Sequence, residues 1–471
     1  MMNHTITSRR EMLARSGSGF GSLALTHLLA SEAAADAARL PDRAADPYAV
    51  RQPHHAARAK RVIFLYMPGG PSHVDLFDPK PRLAKDNGKP LPFAKPKLER
   101  VKTGNLLASP WKFAKHGQSG TEVSELLPRT ASHVDDICVI RSLVADNINH
   151  SGAALQMCTG EQAFSRPSMG SWLTYGLGTE NQNLPAFVVV SPAAVFQGAQ
   201  LWASSFLPSA YQGTLVRDLK NPIANLRDPL GNVDRQRAKL DALRKLNQLH
   251  RQARTADSPL DARIASFELA FRMQREATEA FDIGGESKNT QKLYGIGTGP
   301  TDLFGRQCLL ARRLVERGVR FVQLFDAPKN NAWDHHGGLR EALPARCAAV
   351  DQPIAALLAD LKQRGLLEDT LVLWGGEFGR TPTAEGSNGR EHHPFGFSMW
   401  LAGGGIRGGM THGATDDFGW HAVRDKVHVH DLHATILHLM GFDHERLTYR
   451  HAGRDYRLTD VHGRVVEEIV A

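Results

Sequence analysis

Carboxylates and imidazoles gather at five places in this chain, nearly always beside glycines. PGGPSHVDLFDPKP carries His73, Asp75 and Asp78, and Asn147, Asn149, His150 and Ser151 precede GAALQMCTG. DAPKNNAWDHHGG supplies Asp326, Asp334, His335 and His336; GGEFGRTP supplies Glu377 and Arg380; GREHHPF supplies Glu391, His392 and His393. Mixed oxygen and nitrogen donors suit zinc, manganese or iron better than calcium or magnesium. Asp75, Asp334, His336, Glu377 and His392 are therefore the candidate ligands of a divalent metal ion, zinc or manganese. Arg380 or Arg390 beside such an ion matches phosphate or sulfate oxygens in bidentate fashion. His150 is a candidate acid or base near neutral pH. Ser151, at a helix start where amides favour negative charge, is either a nucleophile or the helix cap. Each cluster also has an ordinary role open to it. Asp75 and Asp78 fit turns or caps, Glu377 fits a pair with Arg380, and His392–His393 fits a satisfied core pair.

Position distinguishes these clusters from isolated polar residues. Short apolar runs at Val62–Met67, Ile137–Ile140, Phe187–Val190, Val319–Phe325, Leu371–Trp374 and Met399–Ala402 read as strands buried on both faces, hence a mainly parallel sheet. Phe304, Cys308, Ala311 and Val315 line one helix that Gly318 stops. Ile354, Leu357, Leu358 and Leu361 line another, with Asp351 as cap, Pro353 in its first turn and Gly365 beyond its end. That alternation is a βαβ pattern, and the fold class is α/β. In open parallel sheets ligands bind beyond the carboxyl ends of strands, where these clusters fall. Residues 232–282, with Leu240, Leu243 and Leu249 on one face and Ile264, Phe267 and Phe271 on another, read as an inserted helical hairpin. Asp431 is read as the cap of a C-terminal helix whose buried face is Leu432, Ile436 and Leu439, with His433 and His438 pointing elsewhere.

The chain of 471 residues carries a formal charge of +8 with 23% charged residues, scattered rather than in blocks, which argues against nucleic acid as a partner. Its four cysteines lack the paired short spacing of a zinc site, and Cys158 and Cys308 sit on apolar helix faces as free thiols would. Ser8-Arg9-Arg10-Glu11-Met12-Leu13, a weakly apolar stretch and a small-residue run form a twin-arginine signal over residues 1–35. Residues 36–60 read as a linker and 61–471 as the α/β domain. The expected location is periplasmic or extracellular, with no transmembrane anchor once the signal is cleaved.

GGPSHVDLFDPKP, INHSGAALQMCTG, RPSMGSWLTYGLG, GGEFGRTP, GREHHPFGFSMWLAGGGIRGG and HDLHATILHLMGFDHERLTYRHAGRDYRLTDVHG resemble an exported bacterial family, the domain-of-unknown-function family 1501, often called sulfatase-like. More distantly, the order of elements is similar to the alkaline phosphatase and sulfatase superfamily. That resemblance implies an alkaline-phosphatase-like mixed, mainly parallel sheet sandwiched between helices, with metal at the strand ends. It puts His150 where the superfamily has its nucleophile and Glu377-Phe378-Gly379 where it has Asp-His-Gly. Pro68-Gly69 stands where its first strand ends in an acidic ligand, so Asp75 or Asp78 would have to substitute. Asp334 and His336 would supply the other half-site. Two functions follow: a metal-dependent hydrolase of phosphate or sulfate esters, or a catalytically degenerate relative. The first acts on a small anionic ester or a sulfated or phosphorylated glycan. The second binds an anionic glycan or a cell-envelope partner through the same cleft.

Overall fold

The computed structural model describes residues 47–94, 104–219, 277–297 and 299–471, with scattered positions between 222 and 273. The expected signal and most of the expected helical hairpin lie outside the described residues. Within 36–60, the described part from Pro47 runs along the folded body: His54 N–H donates to Gly441 O, and the Arg58 and Ala59 N–H groups donate to Leu439 O.

Among the described residues, nine strands form the central sheet. In chain order the strands used below are β1 (Arg61–Tyr66), β2 (Ile137–Val144), β3 (Phe187–Val190), β4 (Thr214–Val216), β5 (Phe321–Phe325) and β6 (Thr370–Gly375). They continue with β7 (Gly379–Ala384), β8 (Arg390–His393), β9 (Phe397–Ala402), β10 (Met410–His412) and β11 (Val427–His428). The sheet order is β10-β2-β9-β6-β1-β5-β3-β4, with β11 also on β2, and β7 pairs with β8 in a separate hairpin. β9 runs antiparallel to both its neighbours, while every other ladder of this sheet is parallel. The fold is thus mixed and mainly parallel, as the buried apolar runs require.

The helices α1 (His150–Thr159), α2 (Met169–Leu177), α3 (Asp302–Glu316), α4 (Leu339–Gln363) and α5 (Val429–Leu439) cover the two faces. Along β1, Ile63 and Leu65 join one core with Cys308, Leu314, Ile354 and Leu361, from α3 and α4. Val62, Phe64 and Tyr66 join the other, with Leu155, Trp172 and Ile436 from α1, α2 and α5. Successive side chains on a strand point to opposite faces, so a strand covered on both sides must be apolar at every position. All four cysteines are buried and free.

α4 departs from expectation. It begins at Leu339 rather than near Asp351, and runs 25 residues through Pro344 and Pro353. Leu339, Leu343, Cys347, Val350, Ile354, Leu357, Leu358 and Leu361 make one unbroken buried stripe, and its packing outweighs the hydrogen bonds the prolines remove. Asp351 caps nothing in α4; its carboxylate accepts the Arg129 and Thr130 N–H groups. The α5 cap is His428, with Asp431 reciprocating in a capping box. His433 is buried and donates from Nε2 to Met157 O.

Candidate metal centre

The loops beyond β1, β2, β5 and β6 meet at one rim of the sheet. After β1 the chain turns at Gly69, whose φ is +116° and whose N–H donates to Glu377 Oε1 at 2.9 Å. A Cβ there would stand 2.5 Å from the Asp334 backbone nitrogen, so only glycine lets the two loops come this close. After β2, Asn149 caps α1 by accepting the Ser151 N–H, which sets His150 at the helix's first position. Asn149 thus fills the capping role considered for Ser151. The loop after β5 delivers Asp334 and His336, and β8 delivers His392, paired across the hairpin with Arg380.

Four of these side chains converge: one donor atom from each of His150, Asp334, His336 and His392 lies within 4.8 Å of the others. His150 Nε2 is 3.2 Å from Asp334 Oδ2, and His336 Nε2 is 3.0 Å from Asp334 Oδ1. His392 Nε2 is 3.5 Å from that same oxygen and 3.0 Å from His336 Nε2. The other nitrogen of each ring is anchored. His150 Nδ1 donates to Glu377 Oε1 at 2.6 Å, His336 Nδ1 to Glu385 Oε2, and His392 Nδ1 to the Ile148 carbonyl at 2.7 Å. A ring that donates from Nδ1 carries a lone pair on Nε2 unless it is doubly protonated. Three such lone pairs therefore face one another and a carboxylate, which is stable only around positive charge. His150 Nε2 is buried and has no hydrogen-bond partner, as a ligand atom would be. The donor set of three imidazoles and one carboxylate fits a divalent ion such as zinc. Anchoring of each ring through its far nitrogen is the arrangement that orients metal-binding histidines.

Titration follows the same contacts. Burial opposes charge on Asp334, yet the close approach of the His150, His336 and His392 rings, with the Arg380 guanidinium, holds its carboxyl far below the usual range. Burial also opposes charge on His150, but Asp334 and Glu377 outweigh it and raise its pKa. Asp334 likewise raises His336, against burial and with help from Glu385. His392 is lowered, chiefly by burial.

Of the residues singled out in the sequence, Asp334, His336 and His392 are brought together, and His150 joins them as a fourth donor. Glu377 lies one step behind, on His150, and also accepts from Tyr66 Oη at 3.0 Å. Asp75 does not reach the cluster: both its oxygens face the Arg390 guanidinium, at 2.7 and 3.0 Å, and Ser72 Oγ donates to one of them. Asp78 is held by Lys80 at 2.9 Å and by Thr415. Asp326 accepts from Trp333 Nε1 at 2.8 Å. Arg380, fully buried, points inward: it donates to the carbonyls of Gly69, Gly70 and Arg390 and to Asp334 Oδ1. It positions Asp334 instead of presenting an open fork to an anion. His393, on the opposite side of β8 from His392, donates to Trp420 O. Period-two alternation in a strand was the available signal for that split. Glu385, unmarked by any local pattern, is the functional contact sequence reasoning missed.

A family model described as "Protein of unknown function (DUF1501)" matches residues 59–470. The chain belongs to this family. No curated protein matches the chain. Similar solved structures include Ps i-CgsB, 11% identical over 82% of this chain and 72% of that one, with a TM-score of 0.38. PsFucS1 sulfatase from Pseudoalteromonas sp. is 14% identical over 82% of this chain and 68% of the other, with a TM-score of 0.35. Alkaline phosphatase from the Antarctic bacterium TAB5 is 10% identical over 82% and 99%, with a TM-score of 0.34. At this distance the chemistry of this DUF1501 member has to come from its own side chains. Among the described residues no helix is long and apolar enough to cross a membrane.

Proposed function

We propose that this DUF1501 protein is a metal-dependent hydrolase of sulfate or phosphate esters, with a sulfated or phosphorylated glycan as the substrate class. The observation that carries this reading is the convergence of His150, His336 and His392 on Asp334, each imidazole anchored from behind. A divalent ion held there supplies Lewis-acid polarisation of an ester oxygen. Glu377, Glu385 and the Ile148 carbonyl fix the three rings, and Arg380 fixes Asp334. Asp334 and His336 have side chains 23% and 32% exposed, whereas His150 and His392 are nearly closed off, so the ester approaches from the Asp334–His336 edge. His150 serves as a ligand, not as the acid or base, because both its nitrogens are occupied. Water is the attacking group; the hydroxyl of Ser151, at the second position of α1, is the competing candidate. We further propose that residues 1–35 direct export by the twin-arginine route.

The inward turn of Arg380 and Arg390 favours a second reading, a cleft that binds an anionic envelope glycan without turnover. One preparation decides. Protein recovered from the periplasmic fraction is analysed for metal and assayed on a panel of sulfate and phosphate esters. Turnover with metal held at the Asp334 centre, the turnover and that one ion both lost in Asp334→Ala and His336→Ala, is the expected result. Turnover that survives those substitutions sinks the site assignment, and metal without turnover favours the binder.

A further inference from the structure

A second group of donors lies at the start of α5. One carboxylate oxygen of Asp146 and one ring nitrogen each from His428 and His430 lie within 4.8 Å of one another. The register of β11 on β2, with Val427 opposite Leu143 and His428 opposite Val144, places these residues side by side. His428 Nε2 is 3.0 Å from Asp146 Oδ2. The rings of His428 and His430 stack at 4.9 Å, and the exposed His462 ring stands 5.2 Å from that of His430. His430 is 5% exposed, and its Nδ1 is buried with no hydrogen-bond partner. A buried polar atom left unpaired is costly, and a native structure that retains one calls for an explanation.

We propose that Asp146, His428 and His430 bind a second divalent cation of the zinc type, independently of the centre at Asp334. Two imidazoles and a carboxylate supply three donors, and His462 or water completes a tetrahedral set. His428 Nδ1 accepts the His430 N–H at 3.2 Å, so without the ion its proton sits on Nε2, facing Asp146. Binding through Nε2 moves that proton to Nδ1 and gives up this long capping bond. Ion and cap therefore compete at the first turn of α5.

The test uses the full chain, stripped with a chelator and titrated with zinc, with bound zinc counted by elemental analysis. Wild type is expected to bind two zinc ions per chain. His428→Asn, which keeps a good capping residue, and Asp146→Asn are each expected to bind one and to retain the site at Asp334. Circular dichroism identifies a variant that has not folded, and the other then decides. Wild-type stoichiometry in the folded variants overturns the proposal, as does a wild type whose zinc is all lost in Asp334→Ala. If the Asp334 centre is the one that fails, wild type keeps a single zinc that Asp146→Asn removes, which separates the two assignments.

Discussion

Glu377 illustrates how much of this site is decided by a residue that need not touch the ion. It is 1% exposed and receives three donors: Tyr66 Oη, the Gly69 N–H and His150 Nδ1. Its negative charge raises the basicity of the His150 ring and fixes the tautomer that leaves Nε2 free. Glu377→Gln keeps the shape, removes the charge and turns an amide N–H toward groups that are themselves donors. Such outer contacts contribute about 10–100-fold to metal affinity. Zinc titration of Glu377→Gln should show a weakening of that order, with stability falling by about 1–3 kcal/mol for the mismatched buried group. Unchanged affinity would show that His150 is not a ligand. Asp75 gives the contrast: as buried as Glu377, it is bound to Arg390 and braces the β7–β8 hairpin, so its substitution should lower stability without acting on the ion directly. Sequence alone did not distinguish these two carboxylates, because their partners lie 227 and 315 residues away along the chain.

At the scale of elements, α5 carries a consequence for acid stability. His433 is fully buried and donates from Nε2 to the Met157 carbonyl, which leaves Nδ1 a buried lone pair without a partner. Burial, with His430 adding to it, lowers its pKa to about 3. An unfolded histidine titrates near 6.5. Above that pH both states are neutral and the residue has no effect on the pH dependence. Below it the unfolded chain takes up a proton that the folded chain refuses. Stability therefore falls as pH drops from about 6.5 toward 3, by up to about 1.4 kcal/mol per pH unit from this group. Denaturation followed from pH 7 to pH 4 should show a shallower decline in His433→Gln than in wild type; equal slopes would refute the assignment. The sequence placed this helix and its apolar face but not His433, since the surface it meets, at Met157 on α1, is remote in the chain. The strands were legible because burial on both faces writes itself as an unbroken apolar run. The first three turns of α4 were not, because Asp351 and Pro353 together read as a helix start and Pro344 is a local stop signal, both of which tertiary packing overrides. Asp334 and His336 were legible as members of one cluster through the company of glycines and a strand end. The convergence of His150 on that cluster was not, because its residue type read as an acid or base and the resemblance put a nucleophile at its position.

Across the molecule the charge balance is lopsided in a way that bears on the substrate. The chain is formally +8, yet the proposed metal centre is ringed by carboxylates: Asp334, Glu377, Glu385 and, 3.7 Å from His336 Nδ1, Glu391. Arg380 is the guanidinium on Asp334, while Arg390 is matched by Asp75. With neutral imidazoles the group remains net negative even after one divalent ion is counted. Each further negative charge on a substrate is repelled by an amount that depends on screening, of order a few kcal/mol at about 4 Å and an effective dielectric of 20. A sulfate monoester or a phosphate diester carries one charge, whereas a phosphate monoester near pH 8 carries close to two. The centre should accordingly favour 4-nitrophenyl sulfate or bis(4-nitrophenyl) phosphate over 4-nitrophenyl phosphate by about tenfold or more in kcat/KM, about 1.4 kcal/mol of differential transition-state binding. Glu385→Gln removes one of the repelling charges and should narrow that ratio, as should added salt, because the Asp334–His336 edge is open to solvent. A preference for the dianionic monoester would mean that positive charge beyond a single ion gathers at this rim, and the centre would then need another cation to account for it.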